Sequence, residues 1–248
     1  MTDLIIERLG RTEVWELNRP RSRNALTPAL VSDLAAALGT AETSGTRVVV
    51  ISGRGPSFCA GADLGHLLRC AETGASPRPF LRSICDLTLA METSPVVFVA
   101  AVHGHAVAGG FEAALACDMV FAATGTLIGD GHVKRDLVPG GGSSVRMENR
   151  LGWGRARMLA LSGKLVPAEA LESIGWITAV VPAEDLRRQA LAAAEELGEV
   201  PADAQRRFKR LLTPDRSITE TALTRELDMF DEHWRSRDVA AALRRFLH

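Results

Sequence analysis

Hydrophobic residues follow two rhythms along this 248-residue chain. In the first half, short β-branched runs predict strands. LIIERLG and TEVWELN (4–18) read as a hairpin around Gly10 and Arg11, and RVVVISG (47–53), PVVFVAAV (95–102) and MVFAA (119–123) as three further strands. RVVVISG and PVVFVAAV are apolar at nearly every position, which predicts a sheet buried on both faces. Between the strands the spacing becomes helical. Thr27 and Pro28 make an N-cap and first-turn pair, and ALVSDLAAALGTAE (29–42) then repeats apolar residues at helical spacing. Segment 64–72, PFLRSICDLTLAMETS (79–94) and GGFEAALACD (109–118) read the same way, with a loop at 73–79. The order β-β-α-β-α-β-α-β predicts an α/β fold with helices covering its sheets.

Beyond residue 140 the helical rhythm takes over, in 145–163, 167–175, 183–198 and from RELDMF at 225 to the end. This predicts a mixed core over 1–190 and a helical C-terminal region over 191–248, of the kind that packs on a neighbouring subunit. No repeat of fixed period is present.

Composition changes this picture little. Hydrophobic residues make up 46% and charged residues 24%, with a net charge of −1. No overall positive field favours nucleic acid or an anionic membrane. The most apolar run (95–110) is interrupted by histidines and glycines and is too short to span a bilayer. The segment MTDLIIERLG lacks the basic-then-apolar pattern of a secretory leader, so a cytoplasmic enzyme is expected. The four cysteines (59, 70, 85, 117) show no metal-ligand spacing and read as free thiols of a cytosolic protein. No spacing among His103, His105 and His132 supports a metal site. Sequence motifs for nucleotide hydrolysis or a serine nucleophile are absent. The basic stretch AQRRFKRLL (204–212) reads as a solvated helix face or as a contact for phosphates.

Chemistry concentrates where two buried strands run into small residues. RVVVISG leads to FCAGADL (58–64), and PVVFVAAV leads to HGHAVAGGFE (103–112). Glycine admits close backbone approach, and a helix start offers unpaired N–H groups with partial positive charge. Two such groups, one from each loop, would polarise a carbonyl oxygen, and Glu112 stands three residues after Gly109.

These residues resemble the crotonase, or enoyl-CoA hydratase/isomerase, superfamily. The matching stretches are NRP and RNAL (18–26), SFCAGADL (57–64), VHGHAVAGGFEAALACD (102–118), LVPGGG (137–142) and SGKLVPAEALESIGWITAVVP (162–182). The resemblance covers about residues 4–190. It implies a crotonase-like spiral of ββα units, assembled as a homotrimer or hexamer, and an acyl-CoA thioester as substrate. No separate cofactor is implied, since coenzyme A is part of the substrate. The thioester oxygen would sit in an oxyanion hole between the N–H groups of Ala62 and Gly109. Arg23, Ala60, Ala62 and Leu64 would lie along the coenzyme A. Glu112 aligns with the first of the two glutamates that hydratases of the family use. The second, seven residues before the proline of LVPGGG, is His132 here. The expected activity is enoyl-CoA hydration. The imidazole leaves open isomerisation, decarboxylation, C–C hydrolysis or acyl-CoA binding without turnover. A diketone-cleaving branch shares the histidine and carries an aspartate where this chain has Gly141. Asp130 and Asp136 flank the loop as possible substitutes.

Overall fold

The computed structural model describes residues 2–247, apart from the Phe246 side chain. The N-terminal hairpin forms as β1 (Leu4–Leu9) and β2 (Thr12–Leu17), paired antiparallel. After α1 (Pro28–Thr43) comes β3 (Val48–Gly53), then α2 (Leu64–Thr73), α3 (Arg78–Thr93) and β4 (Val97–Val102). The chain continues through β5 (His105–Val107), α4 (Gly109–Leu115), β6 (Met119–Ala123) and β7 (Leu127–Gly129). Next are α5 (Ser143–Leu151), α6 (Trp153–Ser162), β8 (Val166–Pro167), α7 (Glu169–Glu172) and β9 (Ala179–Val181). Four helices finish it: α8 (Leu186–Glu199), α9 (Ala202–Leu212), α10 (Arg216–Arg235) and α11 (Val239–Leu247).

The main sheet has the order β1-β2-β3-β4-β6-β9, parallel from β2 onward. Its apolar strands are explained by burial on both faces, because side chains alternate across a sheet. Trp15, Val49, Ile51, Phe98 and Ala100 point to the core shared with α1, α3 and α4. Their alternates, Val14, Val48, Val50, Val97 and Val99, pack under Leu186, Ala190 and Ala194 of α8. Phe98 meets Trp15 edge-on at 5.9 Å, both fully buried. Truncating either to alanine would cost about 3–5 kcal/mol.

A second sheet, β5-β7-β8, stands beside the first. Its strands of two or three residues, like β9, are too short for a period-2 signal and were not expected as strands. The long helix expected at 145–163 is two helices, because Gly152 takes φ +76° between them. The helix expected at 167–175 shrinks to the four residues of α7.

Candidate active site

The loop after β3 becomes legible once its N–H groups are followed to their acceptors. Phe58 and Cys59 donate to the carbonyls of His103 and His105, which ties this loop to β5. Ala60 donates to the Arg23 carbonyl, Gly61 to the Cys59 sulfur, and Asp63 to the Leu26 carbonyl. Ala62 alone in this run has no acceptor among the described residues. Asp63, the acid of FCAGADL, is spoken for: it caps α2 at the His66 N–H and pairs with Arg19 at 3.3 Å. Its sequence signal is therefore a cap.

The loop after β4 ends on Ala108, held at φ +51° with its N–H on the Asp130 carbonyl. Gly109 opens α4, and its N–H likewise has no acceptor among the described residues. The two loops touch here. A Cβ on Gly61 would stand 3.0 Å from the Gly109 nitrogen and 2.9 Å from the Ala108 Cβ, and Gly61 also sits at φ +98°. Only glycine fits that position. A Cβ on Gly109 would lie 3.2 Å from the Ala62 nitrogen. So two N–H groups without acceptors among the described residues lie side by side and can share one oxygen.

Both line a cavity of about 470 Å³. The residues expected to bind coenzyme A, polarise the thioester or catalyse line it too: Arg23, Ala60, Ala62, Leu64, Gly109, Glu112 and His132. Leu67, Leu81, Ile84, Leu137, Val138 and Phe230 supply apolar wall. His103 and His105 are not among the lining residues; His103 instead reaches the Gly55 carbonyl at 2.8 Å. Among the described residues no group of His, Cys, Asp and Glu could hold a metal ion.

Glu112 is 2% exposed. Its Oε1 accepts the N–H groups of Gly141 and Ser143, at 3.1 and 3.0 Å, from the start of α5. Oε2 makes no hydrogen bond among the described residues. Burial pushes the carboxyl up to about 7, and the negative charges of Glu226 and Asp130 add to this. His132 and the Ser143 N–H work in the opposite direction.

His132 is placed by its neighbour two residues back. Gly131 turns the chain at φ +70°, and Asp130 folds onto the histidine, with Oδ2 3.0 Å from Nδ1 and Oδ1 accepting the His132 N–H. That bond leaves Nε2 as the ring nitrogen without a partner among the described residues. Burial pulls the imidazole down. The charge and hydrogen bond of Asp130, joined by Glu112 and Glu226, outweigh it and raise it to about 9. Of the two flanking acids, Asp130 is thus the partner. Asp136 faces away, toward His233 and Arg237.

An aspartate in place of Gly141 would require the Glu112 carboxylate to move. A Cβ at that position would meet Glu112 Oε2 at 2.2 Å. Glu112 fills the space, and the acid that orients the imidazole is Asp130, two residues before it. Cys59, beside the two N–H groups, is no nucleophile, since burial pushes its thiol up to about 12.

Glu226 was not anticipated. It reaches in from α10, 6% exposed, and accepts the Gly142 N–H at 2.6 Å and the Ser144 N–H at 2.8 Å. The signal was available: Leu223, Glu226, Leu227 and Phe230 share one helix face, so an acid lies in an apolar stripe.

Comparison with known proteins places the chain in a family. The family model for enoyl-CoA hydratase/isomerase matches residues 13–248. The 2,3-dehydroadipyl-CoA hydratase of Escherichia coli is 30% identical over 234 residues, covering 93% of this chain and 89% of that one. A Mycobacterium tuberculosis protein named "Probable enoyl-CoA hydratase echA6" is 33% identical over 227 residues, covering 92% and 88%. Among solved structures, an enoyl-CoA hydratase from Mycobacterium avium subsp. paratuberculosis superposes with a TM-score of 0.87 at 28% identity, covering 98% of both chains. One from Mycobacterium smegmatis gives 0.80 at 30% identity, covering 96% and 100%. The chain belongs to the enoyl-CoA hydratase/isomerase family of the crotonase superfamily and is an acyl-CoA-processing enzyme of that family.

Proposed function

We propose that this enzyme adds water across the double bond of an enoyl-CoA, with Glu112 as base and His132 as acid. One observation carries the reading. Glu112 has one oxygen pinned by two N–H groups and the other unbonded, in the same cavity as an imidazole whose Nδ1 is tied to Asp130. With Glu112 at about 7 and His132 at about 9, carboxylate and imidazolium coexist between those values. That is the charge state this chemistry needs.

The step balances as follows. Glu112 Oε2 takes a proton from water as the water oxygen bonds to the β-carbon. The π electrons move onto the thioester oxygen, between the Ala62 and Gly109 N–H groups. Donors fixed there stabilise the enolate more than the neutral thioester. The enolate then collapses as the α-carbon takes the proton of His132 Nε2. Glu112 is left protonated and His132 neutral, and the higher affinity of the imidazole for protons returns the pair to its starting state. The backbone around Arg23, Ala60 and Leu64 carries the coenzyme A.

The test is loss of the conjugated-thioester absorbance with short, medium and aromatic enoyl-CoAs, for wild type, E112Q and H132A. Turnover that collapses in both variants supports the assignment. Tight acyl-CoA binding without turnover across the panel overturns it in favour of a binding protein. The His132–Asp130 pair favours a second reading, in which the imidazole activates water or moves a proton in another enolate reaction. Mass analysis of products from the same panel separates isomerisation, decarboxylation and C–C hydrolysis from hydration.

We also propose that the enzyme works in the cytoplasm as an assembly of identical chains. Four buried free thiols fit a reducing compartment. For the assembly, α9 presents Phe208, Leu211 and Leu212 at 64–80% exposure, with Phe208 and Leu212 along a large groove, and buries Lys209 instead. A patch of that kind suits a protein partner better than water. Sedimentation of the wild type and of an F208E/L211E variant tests it. A monomeric wild type would refute the assembly.

A further inference from the structure

We propose that Glu226 is a positioning residue for the chemistry at Glu112: from α10 it locks the first turn of α5, so that Gly141 and Ser143 aim their N–H groups at the Glu112 carboxylate. The kinetic part of this inference rests on the hydration reading above; the placement does not.

A helix start leaves its first N–H groups without internal acceptors. At α5 two carboxylates divide them in alternation. Glu112 takes Gly141 and Ser143, and Glu226 takes Gly142 and Ser144, with a further bond of 2.5 Å from the Ser144 hydroxyl. Neither glutamate can shift without re-aiming the peptide planes that hold the other. The carbonyl side of the loop is held as well. Arg146 donates to the Gly141 and Gly142 carbonyls and pairs with Glu92 of α3 at 2.8 Å. Gly142, at φ +107°, lies so close to the guanidinium that a Cβ there would overlap it.

An acid in the apolar stripe of α10 would be costly to bury unpaired. Its retention there is explained by the four-residue turn it completes. α10 is itself pinned to α3 by Arg78, which pairs with Asp228 at 2.7 Å and Asp231 at 2.6 Å. Leu81 and Ile84 of the same helix wall the cavity. Helix α10 therefore reaches the Glu112 carboxylate through Glu226, with no contact to substrate required.

The charged groups around Glu226 and Glu112 include His132 and Asp130 from the 130–132 turn, Arg146 from α5 and Glu92 from α3, and Arg135 lines the same cavity. Within this set Glu226 is a negative neighbour of the reacting pair. It opposes ionisation of Glu112 and supports protonation of His132.

The experiment compares wild type, E226Q and S144A. E226Q is expected to lower kcat about 100-fold with KM little changed, because a small displacement of a catalytic group is enough for such a loss. Both limbs of its pH–rate profile are expected to move toward acid. S144A removes one hydrogen bond and no charge, so a smaller fall in kcat with unmoved limbs is expected. Independently of turnover, NMR of 13C-labelled glutamate, with the Glu112 signal identified by E112Q, is expected to show a lower Glu112 midpoint in E226Q. If wild type hydrates no enoyl-CoA, the hydration reading fails while this midpoint still tests the placement. A folded E226Q with unchanged kcat, limbs and Glu112 midpoint overturns the proposal. Should E226Q not fold, S144A with unchanged kcat overturns it.

Discussion

Glu112 and Asp130 are equally hidden, each 2% exposed, and serve the same cavity, yet their proton affinities move in opposite directions. Glu112 exchanges water for two backbone N–H dipoles, and burial prevails, pushing it up to about 7. Asp130 meets the same burial but touches the His132 ring at 3.0 Å. The charge and hydrogen bonds of that ring hold it below the usual carboxylate range. Loss of water sets the demand in both cases; contact with a formal positive charge decides the outcome. The difference also separates their roles. The carboxyl that keeps its proton affinity high lines the cavity, and the one that stays ionised stands behind the imidazole.

The comparison breaks most visibly at Glu112. E112Q keeps an acceptor for the Gly141 and Ser143 N–H groups and removes the proposed base, so kcat is expected to fall about 10²–10⁴-fold. Stability should move the other way. The folded-state value of Glu112 lies above the ordinary carboxylate value, so folding disfavours the ionised form. Wild type therefore loses stability as pH rises from the ordinary range to about 7, and E112Q does not. Thermal melts at pH 5 and pH 8 should show the variant gaining on wild type at the higher pH. A gain at pH 5 instead would contradict the assigned shift.

D130N tests the other side and should cost about 100-fold in kcat near pH 8. The amide cannot hold an imidazolium, and burial then pulls His132 down. Wild type is expected to show a bell-shaped kcat/KM profile with limbs near 7 and 9, which belong to the interacting pair. In D130N the alkaline limb should retreat toward acid, closing the window from above. A limb that stays at 9 would show that Asp130 does not govern the imidazole.

How much of this was legible in the sequence follows from the range of each interaction. Val48–Gly53 and Val97–Val102 were legible because burial on both faces makes every position apolar. Glu112 was legible because its helix start, GGFE, is contiguous. Asp130 was visible only as one of two flanking acids. Choosing it required the turn at Gly131, whose φ of +70° a sequence permits but does not impose. Glu226 lies 84 residues from the N–H it accepts, so no local pattern joins the two. The short strands β5, β7, β8 and β9 are ordered by their partners, and their own residues carry no period.

The smallest expected effect is at His103, and it guards the whole comparison. HGHAVAGG places two histidines beside the Gly109 loop, and either could in principle contribute a limb to the pH profile. His103 instead holds the Gly55 carbonyl at 2.8 Å and does not line the cavity. Its backbone carbonyl, which accepts the Phe58 N–H, survives substitution. H103A should thus leave kcat within about twofold of wild type, the scale of an ordinary surface change, with both limbs in place. If H103A moved the alkaline limb as D130N is expected to, the upper limb would not belong to His132. The contrast between Glu112 and Asp130 would then describe how the fold stores two acids, and the reaction would have to be assigned to another base.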